Sequence, residues 1–473
     1  MNRFRRAFAA LMLASCSGLP AAAPRGLPAD VEAALDEARL PRDALVAVVQ
    51  EVGVTGTRLN WQAQKLVNPA SLMKLVTTSA ALEMLGPAWS WSTPVWLQGA
   101  VRDGVLYGDL VIKGSGDPKL VIERLWLLLR RVQQLGVLDI RGDIVLDRSA
   151  FLAPEQNPSD FDGESLRPYN VGPDALLLNY KSILLSFTPD TLHGIVTVSS
   201  EPPLSGLRVD STVPLASGPC EDWRVQLKPD FTDPTRLRLA GSLATACGAK
   251  TWAVAFPDAR SYNDRLLTAL WRDMGGKLAG AVRDGVAPTS APSFDLQSPP
   301  LAEVVRDINK FSNNVMAQQL FLTLALTQRG QGTPEAAREV TRQWLVERFG
   351  DVARGAVIDN GSGLSRETRV SAALLARLLQ VEWAGPLMPE LISSLPVSGL
   401  DGTLRRSKAP PGRAHLKTGS LRDVVGIAGV VLANSGRRYV VVAIVNHPNA
   451  NAARPALDAL VKWTTLTDAR ALE

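Results

Sequence analysis

Ser71-Leu-Met-Lys-Leu-Val-Thr-Thr-Ser-Ala-Ala-Leu-Glu-Met-Leu85 is a run of strong helix formers that Gly86-Pro87 stops. Leu72, Met73, Leu75, Val76, Leu82, Met84 and Leu85 put apolar groups on nearly every side. The helix is therefore expected to be buried, with Lys74 directed into a core rather than into water. A spacing of three residues sets the Ser71 hydroxyl and the Lys74 amine on one face, within hydrogen-bond reach. Serine attacks a carbonyl only after something takes its proton. Lysine can do so only if burial or a neighbouring cation keeps part of its population neutral. Ser71 at the helix start also lies near the positive end of the macrodipole, which favours developing negative charge. Taken alone, Ser-x-x-Lys is common, and a solvated lysine is its ordinary reading.

Outward from this helix the chain has two textures. A β-branched run at 44–51 reads as a central strand. Residues 117–135, with Asp117 at the cap position, Pro118 in the first turn and Gly136 beyond the end, read as a helix. Short alternating segments then dominate, at 140–146, 184–188, 194–199, 223–227, 237–240 and 252–255, which predicts one or two β-rich modules. After Pro299-Pro300 helices return, at 301–310, 315–326, 334–349 and 371–381. A hairpin follows, 424–433 and 438–445, turned by Asn434-Ser435-Gly436, with a last helix near 452–463. The expected fold is α/β in the α+β sense: an antiparallel central sheet flanked by helices and interrupted by a large β-rich insertion of one or two modules. The expected division is 1–26 as signal and tether, 27–94 with 295–473 as one domain, and 95–294 as the insertion.

Two further clusters carry chemistry. Ser312-Asn313-Asn314 falls at the break between two expected helices, where it could serve as an ordinary N-cap pair or reach into a cleft. Lys417-Thr418-Gly419-Ser420 lies on a strand just before the hairpin; Gly419 permits close backbone approach, and Lys417 with two hydroxyls suits a carboxylate. Each alone is weak evidence, but all three in this order on a helix start, a loop and a strand are not expected by chance. Other chemistries lack their residues. Only three histidines occur, with no His-Glu-x-x-His pair, no zinc ribbon, no phosphate loop, no complete dinucleotide fingerprint and no Gly-x-Ser-x-Gly elbow.

With these motifs the chain resembles the penicillin-binding D-alanyl-D-alanine carboxypeptidase/endopeptidase family, the class C low-molecular-mass penicillin-binding proteins of the serine β-lactamase/DD-peptidase superfamily. The gap between Ser71 and Ser312 is far longer than in a small serine β-lactamase and matches the large insertion of this branch. Gly114-Ser-Gly-Asp-Pro118, Asp359-Asn-Gly-Ser-Gly-Leu-Ser-Arg366, Ser398-Gly-Leu-Asp-Gly-Thr403 and the Cys220/Cys247 pair extend the resemblance along the chain beyond residue 40. It implies that Ser71 attacks the carbonyl between two D-alanines and forms an acyl-enzyme, with Lys74 as general base. Ser312 and Lys417 would relay the proton to the leaving D-alanine, and Asn314 would hold the substrate amide. Thr418 and Ser420 would bind the terminal carboxylate, beside Gly419. The backbone N–H groups of Ser71 and Ser420 would form the oxyanion hole. Arg366, with an acid such as Asp162 or Glu164, resembles the pocket for the diaminopimelate end of a stem peptide. The partners implied are peptidoglycan stem peptides and β-lactams; no metal or cofactor is. One departure is Leu416 preceded by His415, where the family usually has a small or basic residue; His415 reads as a strand side chain rather than a base.

The remaining composition fits that reading. The 473 residues are 46% hydrophobic and 21% charged, enough for two or three packed cores and unlike a disordered chain, coiled coil or collagen. Formal charge is +5, but Arg3, Arg5 and Arg6 lie in the acid-free start, and without them +2 remains, which gives no reason to expect nucleic-acid binding. That start reads as an export signal: a basic end, a short apolar run at 7–14, then small residues. Leu13-Ala-Ser-Cys16 looks like a lipobox that would anchor a lipidated Cys16 to a membrane; the other reading cuts the signal near Ala21-Ala22-Ala23. Either way the protein is expected outside the cytoplasm, in the periplasm, where Cys220 and Cys247 could pair. Two rival functions are a serine β-lactamase and a non-catalytic cell-wall-binding lipoprotein. The first needs a deacylation base, and Asp174-Ala-Leu-Leu-Leu-Asn179 has the wrong spacing for the class A solution. The second is disfavoured because every motif residue is present.

Overall fold

The computed structural model describes residues 26–466, so the signal, Cys16 and their processing lie outside the described residues. Five antiparallel strands form the central sheet: β1 (Leu45–Glu51), β2 (Thr57–Trp61), β3 (Ala414–Leu421), β4 (Val424–Leu432) and β5 (Arg438–Asn446), in the order β2-β1-β5-β4-β3. Strand alternation sorts their side chains into two cores. Val46, Val48, Val440, Val442 and Ile444 face the helix layer that holds α1 (Met73–Leu85), α2 (Leu301–Phe311) and α3 (Asn314–Arg329). Leu45, Ala47, Val49, Val441, Ala443 and Val445 face the other layer, with Ala29–Glu37 and α4 (Arg454–Leu466). Covered on both faces, β4 and β5 are apolar almost throughout rather than alternating with polar residues. Their hairpin pairs Leu432 with Arg438, and Gly436 takes the left-handed turn position at φ 85°.

Between Ser92 and Gln297 the chain builds separate sheets over a core of its own. A seven-stranded sheet contains both the outgoing strand Ser92–Arg102 and the returning strand Phe294–Gln297, paired antiparallel. A five-stranded sheet contains Ser182–Asp190 and Lys250–Ala255, and Cys220 and Cys247 are disulfide-bonded beside it. The fold is the mixed α/β type expected, a helix-flanked antiparallel sheet with an extra β-rich part.

Three local readings are corrected. The helix expected from Asp117 starts at Ile122. Asp117 instead closes an Asx turn, its carboxylate accepting from the Lys119 N–H at 2.7 Å, and burial pushes its pKa up to about 6. Residues 223–227 alternate like a strand but form the short helix Trp223–Gln226, because Trp223 turns inward against Phe187 and Trp252. Segment 140–146 is two strands, Asp139–Ile140 and Ile144–Asp147, broken where a side chain at Gly142 would strike Asp109.

Candidate active site

Ser71 sits in a 3-10 turn, Ala70–Leu72, that runs directly into α1. Ala70 holds a left-handed backbone, φ 47°, a conformation that costs a non-glycine residue about 1–2 kcal/mol. Asn68 fixes it. Its Oδ1 accepts from the Ala70 N–H at 2.9 Å, and its Nδ2 donates to the Ser365 carbonyl at 2.8 Å. Its backbone N–H and C=O pair with the Asn446 side chain at the end of β5. Two glycines let neighbouring chain close over the turn: a Cβ on Gly363 would lie 1.9 Å from the Ala70 carbonyl oxygen, and one on Gly419 would lie 2.6 Å from that of Pro69. Asn68 and Asn446 were not singled out from sequence. The only local signal was the Asn68-Pro69 turn pair, and the Asn446 contact spans most of the chain.

Lys74 is fully buried. Its Nζ lies 3.0 Å from Ser71 Oγ, 2.6 Å from Asn314 Oδ1 and 2.6 Å from the Ser362 carbonyl oxygen. Burial first, and then repulsion from Lys417, holds its pKa well below the ordinary lysine value. A neutral amine has two N–H donors and one lone pair. Asn314 Oδ1 and the Ser362 carbonyl can only accept, so they take the two N–H groups. The lone pair is left facing the Ser71 hydroxyl, which is the arrangement a general base requires.

Ser312 ends α2 in a left-handed conformation, φ 57°, and Asn313 caps α3 by accepting from the Met316 N–H at 3.0 Å. The capping and the cleft readings of this cluster thus hold together: Asn313 caps, while Ser312 and Asn314 reach inward. Lys417, also fully buried, donates to Ser312 Oγ at 2.9 Å and to the Thr418 carbonyl at 2.7 Å. Burial lowers its pKa to about 7. Thr418 Oγ1 donates to Thr403 Oγ1 at 2.7 Å, which brings the Ser398–Thr403 segment to β3. That segment is held by an ion pair at 2.6 Å between the nearly buried Lys310, two residues before Ser312, and the half-exposed Asp401. His415, half-buried with its pKa lowered by desolvation, makes no recorded bond to Lys417 or Ser312.

Ser71, Ser312, Asn314, Arg366 and Ser420 line one cleft of about 840 Å³, whose far wall includes Phe161, Asp162, Tyr169 and Ala253 from the β-rich part. Arg366 does not pair with Asp162 or Glu164. Its guanidinium bonds Asp423 at 3.0 Å and stacks on Phe161, while Asp162 accepts from Tyr169 and Asn170, and Glu164 pairs with Arg167. Ser71 Oγ has no carboxylate within hydrogen-bond distance among the described residues; its recorded partner is Lys74. Asn179 and Asp174 are occupied elsewhere, the first on the Ile122 N–H and the second by Arg148 and Lys181. Among the described residues no acidic, histidine or cysteine cluster could hold a metal ion.

Comparison with known proteins gives the family. A D-alanyl-D-alanine carboxypeptidase of Haemophilus influenzae is 24% identical over 80% of this chain and 80% of its own. One from an Actinomadura species is 28% identical over 90% of this chain and 81% of its own. The crystal structure of penicillin-binding protein 4 from Haemophilus influenzae superimposes with a TM-score of 0.73 at 21% identity, over 91% of this chain and 99% of its own. A penicillin G-acylated predatory endopeptidase from Bdellovibrio bacteriovorus gives 0.52 at 14% identity, over 89% and 91%. The D-Ala-D-Ala carboxypeptidase 3 (S13) family matches residues 27–467, and the chain belongs to that family.

Proposed function

We propose that this protein hydrolyses D-Ala-D-Ala ends and D-Ala–diaminopimelate crosslinks of peptidoglycan through an acyl-enzyme on Ser71, and that penicillin acylates the same serine. The observation that carries the reading is the buried Lys74 amine, whose two acceptors leave its lone pair on Ser71 Oγ. Lys74 takes the Ser71 proton as Oγ attacks. Ser312, polarised by Lys417, passes a proton to the departing amine. Asn314 orients Lys74 and faces the substrate amide. The Ser71 and Ser420 backbone N–H groups stabilise the oxyanion, and Thr418 and Ser420 bind the carboxylate of the leaving residue. Water then frees the enzyme. Arg366, stacked on Phe161 near Asp162, is the group at hand for the charged end of a diaminopimelate side chain.

A cell-wall substrate places the protein outside the cytoplasm. We assign it to the periplasm, with a lipid on Cys16 as one form of attachment, and divide the chain as 27–94 with 295–473 for catalysis and 95–294 inserted. The pairing of Ser92–Arg102 with Phe294–Gln297 supports a boundary at this crossing. Digestion of crosslinked and uncrosslinked muropeptides, read by mass spectrometry, tests the function. Loss of terminal D-alanine and resolution of dimers are expected, both abolished in Ser71→Ala; intact muropeptides with the wild type would overturn it. With no carboxylate within hydrogen-bond distance of Ser71 Oγ among the described residues, nitrocefin turnover is expected to be slow. Rapid hydrolysis would favour a β-lactamase instead.

A further inference from the structure

The geometry points to Arg454, the first residue of α4, as the charge that reads the free carboxylate of the residue being released. This rests on the peptidase reading above. Thr418 and Ser420 are hydroxyls, which can donate to a carboxylate or to a neutral carboxamide; a cation nearby sharpens the preference for the charged group. Arg454 Nη2 donates to Ser420 Oγ at 3.1 Å and to Asn451 Oδ1 at 3.2 Å. Because Ser420 Oγ accepts from the guanidinium, its own O–H is free to donate into the cleft that Ser420 lines. A carboxylate oxygen accepting that proton lies about 2.7 Å from Oγ. With tetrahedral angles at Oγ that oxygen is about 4–5 Å from Arg454 Nη2, close enough to feel the charge and one side-chain adjustment short of an ion pair.

Four neighbouring cations are committed elsewhere. Lys74 and Lys417 are buried on the proton-transfer groups, Arg366 bonds Asp423, and Lys310 bonds Asp401. Both recorded partners of Arg454 are neutral, and among the described residues no carboxylate pairs with it. Arg422 also lines the cleft and is the competitor to be tested. The charge is thus held in place by neutral groups and kept available for an anion. Thr403, bonded to Thr418, brings a second hydroxyl to the same strand.

The experiment compares two peptides, one ending in D-Ala-D-Ala and the same peptide ending in D-Ala-D-Ala-amide, with wild type, Arg454→Gln, Arg454→Lys and Arg422→Gln. The wild type is expected to favour the free acid. Arg454→Gln should lower kcat/KM for the acid about 10–100-fold, the loss of one charge-assisted contact, while the amide changes less than about threefold. Arg454→Lys should restore part of the preference. Equal losses on both peptides in Arg454→Gln, an unchanged preference, or loss of preference in Arg422→Gln alone would each overturn the assignment while leaving the peptidase intact. A wild type that cleaves neither peptide would remove the peptidase reading and this inference with it.

Discussion

Two buried lysines set the chemistry of the proposed mechanism at the residue scale, and burial makes both depart from ordinary behaviour. Lys417 has a folded-state pKa near 7, against 10.5 for an ordinary lysine. The unfolded chain therefore binds more protons than the folded one between those values, and stability climbs with pH across that window. Below about pH 7 the full cost of burial is present. Lys417→Met is expected to lose peptidase activity yet stabilise the protein by about 1–4 kcal/mol at pH 6.5, with the gap narrowing as pH approaches 10. Urea unfolding at several pH values measures this, and a pH-independent gap would contradict it. In the proposed mechanism the neutral form of Lys74 is the active one, so acylation is expected to fall as pH drops through its depressed pKa. The serine–lysine pair was legible in the sequence because its spacing is local. The two acceptors that orient Lys74 were only half legible: Asn314 belonged to a visible motif, whereas Ser362 contributes a backbone carbonyl, which no side-chain pattern reveals.

At the scale of elements, the sheet strands and the long helices follow their apolar periodicity, and Pro334–Phe349 matches its expected span. The misreadings share one cause: short segments whose form is decided by a distant partner. Trp223 makes a helical turn because two aromatic rings receive it, and Asp117 leaves its helix to close a turn in a buried corner. The turn that carries Ser71 likewise depends on contacts remote in sequence. Asn68→Ala removes the acceptor for the Ala70 N–H and the donor to Ser365. Penicillin acylation is expected to slow about 10–100-fold, since a displacement near 1 Å at a nucleophile costs that much. Circular dichroism should remain that of the wild type. Acylation at the wild-type rate would show that the turn holds without Asn68.

At the scale of the whole molecule, the cleft is walled by both parts of the chain, and polar contacts join them, among them Lys119 with Asp307 and Gln319 with Gly116 and Asp174. Asp174 holds the β-rich side of that contact in shape. It is nearly buried, it accepts from Arg148 and Lys181, and its backbone exchanges hydrogen bonds with Gln319 of α3. Burial alone would raise its pKa, but Lys181 and then Arg148 outweigh this and hold it below the usual carboxylate range. Its stabilising effect is thus present at neutral pH and lost as pH falls through that depressed value. Asp174→Asn strands the nearly buried Lys181, while Arg148 keeps Asp284, and is expected to cost about 3–5 kcal/mol, read as a lower Tm and faster proteolysis of the β-rich part. An unchanged Tm would contradict it. The wall residues Phe161, Tyr169 and Ala253 were not legible from sequence, because nothing in their local pattern says which cleft they face. The central claim is that the neutral Lys74 amine takes the Ser71 proton, and the most direct measurement is the rate at which benzylpenicillin acylates Ser71, followed by intact-protein mass across pH. The wild type should label at Ser71 with a rate that rises with pH and levels off below the ordinary lysine range, and Lys74→Met should be slower by about 10²–10⁴-fold at every pH. Labelling of Lys74→Met at the wild-type rate, or of any residue other than Ser71, would contradict it.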